Sequence, residues 1–422
     1  MVRTYCVAHS WCGPKLRCTG EIMQQVVIAG TGMTDFGRFQ ETSLRDLASE
    51  AVAAALVDAD ATASEVGMVM FGNAAGGLLI GQECVRGQVA LRHTGLLGKP
   101  IVNVENACAS SSTAFHLAWM AVASGQCDVA LAIGAEKMSN EDRTVPMKAL
   151  EAAADLQELE ELKARISPDG AGTGSVFMDL YADVARDYMS HTGATVEDFA
   201  GVSVKQRQAG ALNPHAQFRK AVTADEVLDS RLIADPLRLL MCSSIGDGAA
   251  ALVLMSEDYA LRKNVLPVEV LACALRSGQG DDPKMAPVAT LAAEAVYEET
   301  GIGPAELDVV EIHDAAAPAE FILSEQLGFC APGEAVSLMR SGRTSMGGNM
   351  PINPSGGLIS KGHPIGATGA AQLVELADQL RGRAGKRQRP GARIGMAENG
   401  GGWIGNDAAV AVVTMLGAVA RH

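Results

Sequence analysis

The segment LASEAV at Leu47–Val52 returns as LAAEAV at Leu291–Val296, about 240 residues later. Each copy sits in an Ala-rich stretch. In the first, Leu44, Leu47, Ala48, Ala51, Val52 and Ala55 recur at helical spacing. Each is followed by a short acidic linker and a strand-like run, VGMVMFGNA in one case and LDVVEIHDA in the other. So long a period excludes a short-repeat solenoid and predicts two similar βαβ-rich halves. A second unit recurs as well. IVNVENACASSSTAFHLAWMAVASG followed by DVALAIGAE is matched by NPSGGLISKGHPIGATGAAQLVELADQL followed by ARIGMAENGGG. Cys108 and His363 fall at comparable places in the two units, at or just before an Ala-rich helix. Halves packed about a pseudo-twofold axis would bring those helix starts together.

At 422 residues the chain is too long for one ordinary core, and its 46 glycines with 4% aromatics suit tightly packed α/β layers. The boundaries read as a loose extension at 1–22, a first half over 23–275 and a second half over 276–422. Within the first half, about 139–240 differs in character. It holds a charged helical stretch (MKALEAAADLQELEELKARI), a glycine-rich loop (DGAGTGS) and the helix-like SVFMDLYADVARDYMSHTG. This reads as an inserted subdomain, suited to a lid more than to a core. A net charge of −15 without a long basic block argues against a nucleic-acid partner. No charge-free apolar run reaches membrane-span length, and the N-terminal segment lacks a signal peptide's apolar core. Nine scattered cysteines, an odd number, favour free thiols and a reducing cytoplasm. Cys6, His9, Cys12 and Cys18 miss the usual zinc spacing, so no metal is expected.

Cys108 stands where the chain leaves a strand and enters a helix. A helix N-terminus stabilises a thiolate, so Cys108 reads as a nucleophile with a lowered pKa; the other reading is a buried thiol. His363 sits in a turn made of Gly362, Pro364 and Gly366, and reads as a base or as a solvated loop histidine. His313 ends a strand with Asp314 beside it. It reads as a donor to a developing oxyanion, or as a plain strand-end residue whose neighbour caps a helix. Gly400, Gly401 and Gly402 allow a backbone to approach a ligand, or make a tight turn. Lys205, Arg207, Arg219 and Lys220 are the basic residues of the insert that could meet phosphates.

In this order, NACASSSTAF, DGAAALVL, GGLISKGHPIGATG and the final glycine-rich segment resemble the thiolase superfamily over about 26–416. HDA in place of an Asn-Glu-Ala motif, with GTGMTDFGR and NPHAQFRK, resembles its sterol-carrier-protein-type branch. The resemblance implies an α/β thiolase fold, two similar halves in a five-layer αβαβα arrangement with a loop subdomain over the site. It implies a homodimer or dimer of dimers, coenzyme A as co-substrate and no tightly bound cofactor. Cys108 would take the acyl group of a 3-oxoacyl-CoA and His363 would activate the thiol. His313 would serve one oxyanion hole, and the Cys108 amide with the glycine loop a second. Lys205 and Arg219 would be CoA contacts.

The chain departs from that pattern in one place. Other thiolases usually carry a Cys-x-Gly cysteine in the last glycine loop, whereas MAENGGGWIGN has none. Glu398 and Asn399 occupy that region, and Asn399 is grouped with the catalytic set. The group that protonates the enolate is left among His363, His313, Glu398 and water, Glu398 also reading as a solvated loop carboxylate. The departure admits aromatic or branched 3-oxoacyl-CoAs, of which benzoylsuccinyl-CoA is one type. It also admits a CoA-ester retro-aldolase or Claisen-condensing enzyme, or a non-catalytic subunit. Members without the cysteine resemble those that work with a small zinc-ribbon/OB-fold partner, so such a partner is expected.

Overall fold

Strand β1 (Val26–Met33) alternates between two cores, Val26 and Ile28 entering one apolar cluster and Val27 and Ala29 another. A strand clothed on both faces in this way must lie inside a layered α/β body. The computed structural model describes residues 23–167, 172–280 and 285–419. The extension at 1–22, with its cysteines and His9, lies outside the described residues. Helix α1 (Leu44–Asp58) starts at a capping box between Ser43 and Asp46 and buries the six residues whose spacing predicts it.

Strands β2 (Met68–Gly72) and β3 (Ile101–Val104), helix α2 (Ser110–Ala123), and strands β4 (Val129–Glu136) and β5 (Gly248–Ser256) complete the first set. The second set is β6 (Val268–Ser277), α3 (Val288–Thr300), β7 (Val309–Glu311), α4 (Thr368–Arg381), β8 (Ile394–Gly401) and β9 (Val410–Ala418). Across the sheet the order is β3-β2-β4-β5-β1-β6-β9-β8-β7. Read outward from the central antiparallel pair, where Val27 faces Glu269 and Ile28 faces Val268, both sides give one series. The place of β3 is taken on the second side by a single parallel bridge, Val310 to Ile352. The second series opens at Val268, so β6 crosses the boundary drawn at 275/276.

Three apolar clusters separate the layers. One packs α1 on the outer face of the first set, one packs α3 on the outer face of the second, and the largest holds α2 and α4 between them. This is the expected five-layer αβαβα arrangement. The central helices lie very close to the sheet and to each other. A Cβ on Gly134 would come within 2.3 Å of the Gly366 carbonyl and 2.4 Å of Ser111 Cβ. The serines after Cys108 work in this layer: Ser111 Oγ accepts the Ala370 amide from α4 at 3.0 Å.

The insert is more than a lid. Its helices Val176–Thr192 and Val196–Gly210 build a core of their own, in which Tyr188 and Phe199 pack on Phe321 of the second half. The charged stretch over 147–166 is two helices, Thr144–Glu151 and Leu159–Ile166. The break comes where the Asp155 carboxylate accepts the Gln157 amide at 2.9 Å and Ala154 pairs with Trp403.

Candidate active site

Cys108 lies in the turn Ala107–Ala109 that feeds α2, directly after Ala107 at a left-handed φ of 47°. Such a conformation costs a non-glycine residue roughly 1–2 kcal/mol and sharply redirects the chain. His363 precedes the corresponding turn, Ile365–Ala367, before α4. His313 follows β7. The folded halves bring the three together: Cys108 Sγ and one ring nitrogen of each histidine lie within 4.8 Å of one another. The imidazole centroids are 5.1 Å apart. The three line one end of a cavity of about 1110 Å³, walled largely by apolar side chains of the insert such as Met147, Phe177 and Met178.

Both tautomers follow from the hydrogen bonds. His313 Nδ1 is 2.6 Å from the Gly400 carbonyl, which only accepts, so Nδ1 carries the hydrogen. His363 Nδ1 is 2.7 Å from Thr368 Oγ1, whose own hydrogen goes to the Pro364 carbonyl at 3.1 Å. Each neutral ring therefore keeps its lone pair on Nε2, and His313 Nε2 is buried without a hydrogen-bond partner among the described residues. His313 as it rests has no Nε2 hydrogen for the oxyanion-donor role expected from the sequence. It gains one only by taking a proton.

Burial decides the charge state. It pushes the Cys108 thiol up to about 12, helped by the nearby Glu136 carboxyl and opposed by the backbone amides of Cys108 and Gly402. The expected lowering at the helix start is thus outweighed by desolvation. Burial pulls His313 down to about 4, against the Gly400 carbonyl that favours the charged ring. His363 is held well below its ordinary range by burial, then by His313 and Lys361. A neutral thiol faces two neutral imidazoles, and mutual repulsion lets the two rings take up one further proton between them at most.

A family model described as "Thiolase, N-terminal domain" matches residues 26–258, and one described as "Thiolase C-terminal domain-like" matches 276–414. The chain belongs to the thiolase family. This thiolase is 40% identical over 393 residues to the acetyl-CoA acetyltransferase of Methanothermobacter thermautotrophicus, covering 92% of this chain and 99% of that one. It is 36% identical over 391 residues to sterol carrier protein 2 of Bos taurus, covering 90% and 70% of the two chains. The benzoylsuccinyl-CoA thiolase subunit BbsB of Thauera aromatica is 36% identical over 398 residues, with 90% and 96% covered. Among solved structures, the Ltp2-ChsH2(DUF35) aldolase matches with a TM-score of 0.76 at 26% identity, covering 94% of this chain and 99% of that one. The protein is thus an enzyme, an acyltransferase of the sterol-carrier-protein-type thiolase branch.

In this thiolase the last glycine segment begins as strand and becomes a loop only after Gly401. Glu398 to Gly401 belong to β8, and strand alternation sends Glu398 and Asn399 to opposite faces. Glu398 lines the cavity, buried, with its Oε2 accepting the His313 amide at 3.0 Å; it is not a solvated loop carboxylate. Burial pushes it up to about 7, against the His313 amide and aided by Asp407. Asn399 points into the central helix layer, where its Oδ1 accepts from Ser112 Oγ at 2.8 Å, so its side chain is not on the cavity. Asp314 does not cap the next helix, Pro318–Gln326; its Oδ1 accepts the Leu358 amide at 2.8 Å, in the first turn of the short helix Gly357–Ser360. Gly400, Gly401 and Gly402 do line the cavity beside Cys108.

The basic residues fall differently from expectation. Lys205 is buried in an ion pair with Glu320, and Arg219 pairs with Asp35 at 3.3 Å; neither lines the cavity. Lys220 faces Glu226 at 3.3 Å. Of the four, only Arg207 lines it, with its guanidinium 4.4 Å above the Phe218 ring. Arg38, Arg143, Arg165 and Arg231 are further cavity cations that the sequence did not mark. Tyr181, from the long insert helix, also reaches this wall, and burial pushes its phenol up, with Cys108 and Glu398 adding to it.

Proposed function

We propose that this thiolase cleaves a 3-oxoacyl-CoA with CoA through an acyl-thioester on Cys108. The observation that carries the reading is the convergence of Cys108 with two imidazoles whose Nε2 atoms hold lone pairs. When substrate fills the cavity, the thiol proton passes to one Nε2, with His363 as the base, and the sulfur attacks C3. The same transfer creates an N–H that the ring did not have at rest, so deprotonation and oxyanion stabilisation become one event. The amides of Cys108 and Gly402, which favour the ionised sulfur, suit an oxyanion on the acyl carbon it carries. One such donor is worth about 2.7–4 kcal/mol in acyl transfer.

The cavity arginines give the CoA phosphates partners, and Arg207 with its stacked guanidinium is the most buried of them. A volume of about 1110 Å³ with Phe177, Tyr181 and Trp403 on the walls supports an acyl group larger than acetyl, aromatic or branched. The likeness to BbsB supports the same substrate class. That relative is named a subunit, and the aldolase is named as a pair, which supports a partner subunit here.

The test is incubation with acetoacetyl-CoA and with an aromatic 3-oxoacyl-CoA, each with free CoA, read by mass spectrometry of the CoA esters. Cys108→Ala is expected to abolish cleavage and the acyl adduct on the protein. The likeness to the Ltp2-ChsH2(DUF35) aldolase favours a second reading, retro-aldol cleavage of a 3-hydroxyacyl-CoA. Cleavage of that substrate by Cys108→Ala without added CoA would replace the acyl-transfer reading with it.

A further inference from the structure

Breaking C2–C3 leaves an enolate that must be protonated at C2. At that moment Cys108 carries the acyl group, and the imidazole that took its proton is bonded to an oxyanion. A further acid is required. Of the other titratable side chains on the cavity, Asp183 pairs with Arg186 at 3.1 Å and Asp187 with His191 at 3.4 Å, both open to solvent, and burial pushes the Tyr181 phenol up and away from neutrality. Both oxygens of Asp407 accept amides, from Val288 at 2.6 Å and Ala408 at 2.8 Å. Glu105 holds the Ala107 amide at 2.6 Å, outside the buried cluster. The Cys242 sulfur bonds the Arg238 carbonyl at 3.4 Å.

Glu398 is different. One oxygen is fixed by the His313 amide at 3.0 Å, and among the described residues the other makes no hydrogen bond. That free oxygen lies beside Gly400 and the His313 ring: a Cβ on Gly400 would be 3.4 Å from Oε1 and 3.5 Å from His313 Nδ1. The residue thus has one oxygen for position and one for chemistry, on the cavity wall next to the reacting cluster.

We propose that Glu398 is the acid that protonates C2 of the enolate and the base that then deprotonates the incoming CoA thiol. The inference rests on the acyl-transfer reading above. The electrons of C2–C3 pass to the enolate, C2 takes the carboxyl proton, and the acetyl-CoA product leaves behind a Glu398 carboxylate. The carboxylate takes the CoA thiol proton as that sulfur attacks the acyl-Cys108 carbonyl. Cys108 leaves as thiolate and recovers its proton from the imidazolium, restoring every group. Its protonation level, near neutrality, suits both halves of the cycle. The groups facing it are His313 after β7, Asp407, Tyr181 from the insert, and Cys108 and His363 on the same cavity.

The probe is acetyl-CoA in D2O, with C2 deuteration followed by mass spectrometry, beside cleavage of acetoacetyl-CoA with CoA. Glu398→Gln keeps the shape and the His313 amide acceptor. It is expected to lose C2 exchange and cleavage by about 100-fold or more, while iodoacetamide still alkylates Cys108 within about twofold of wild type. Glu398→Asp, which withdraws the carboxyl by one methylene, decides the matter if the glutamine variant fails to fold; at least tenfold slower exchange is expected. Exchange and cleavage within about threefold of wild type in either folded variant overturns the assignment of Glu398. Cleavage that persists in Cys108→Ala overturns the acyl-transfer reading instead, so the two failures are told apart.

Discussion

At the scale of single residues, the proposed reaction depends on each histidine's hydrogen being committed away from the cysteine. For His363 the holder is Thr368, a positioning residue that meets no substrate. Thr368→Val removes the acceptor while keeping the shape. It is expected to lower kcat about tenfold or more, as losing the partner that fixes a tautomer does elsewhere. Thr368→Ser should restore it, a rescue that a merely structural loss would not show. Cys108, His313 and His363 were legible in the sequence because each stands at a strand end or helix start, a place that local patterning marks. Asn399 and Glu398 were not separable there. Adjacent residues of a strand face opposite ways, but a run of glycines reads as a turn, and only the pairing of β8 with β7 and β9 makes it a strand.

At the scale of elements, the two central helices set the distance between the half-sites. Ser111 ties α2 to the Ala370 amide, and Gly134 lets the Gly366 turn lie directly on β4. Gly134→Ala would push a methyl to 2.3 Å from a backbone carbonyl that has nowhere to go. The expected cost is about 1–3 kcal/mol or more, read as a lower denaturant midpoint. Activity should fall further than stability implies, because the shifted turn carries His363 away from Cys108. Helices α1 and α3 were legible from apolar spacing alone. The insert's core was not, since Phe321 reaches it from the second half.

At the scale of the whole molecule, one ion pair pins the halves together away from the site. Arg381 of α4 is buried, donating to Asp58 of α1 at 2.8 Å and to the Ile28 carbonyl of β1 at 2.9 Å. Burial raises the Asp58 carboxyl, but the Arg383 bonds and the Arg381 charge outweigh it and hold the group below its usual 3.8. Its contribution to stability is therefore complete above that value and is lost as the pH falls through the lowered one. Asp58→Asn leaves the buried guanidinium unpaired and is expected to cost about 3 kcal/mol at pH 7. In a thermal melt the deficit relative to wild type should shrink at acid pH. A deficit that does not change with pH would show that packing, not charge, is what Asp58 supplies.

By itself the sequence determined the duplicated architecture and the amphipathic outer helices, and it marked the cysteine and two histidines that the fold brings together. These rest on periodicity and junction residues, which act over a few positions of chain. The tertiary structure alone decided the central strand pairing, which face Glu398 takes, and which arginines reach the cavity. It also decided the protonation of Cys108. The helix start that favours a thiolate is a local feature, whereas the burial that overrides it is the sum of contacts from β4, β8 and the insert. Desolvation depends on everything that excludes water, so it exists only once the halves have closed.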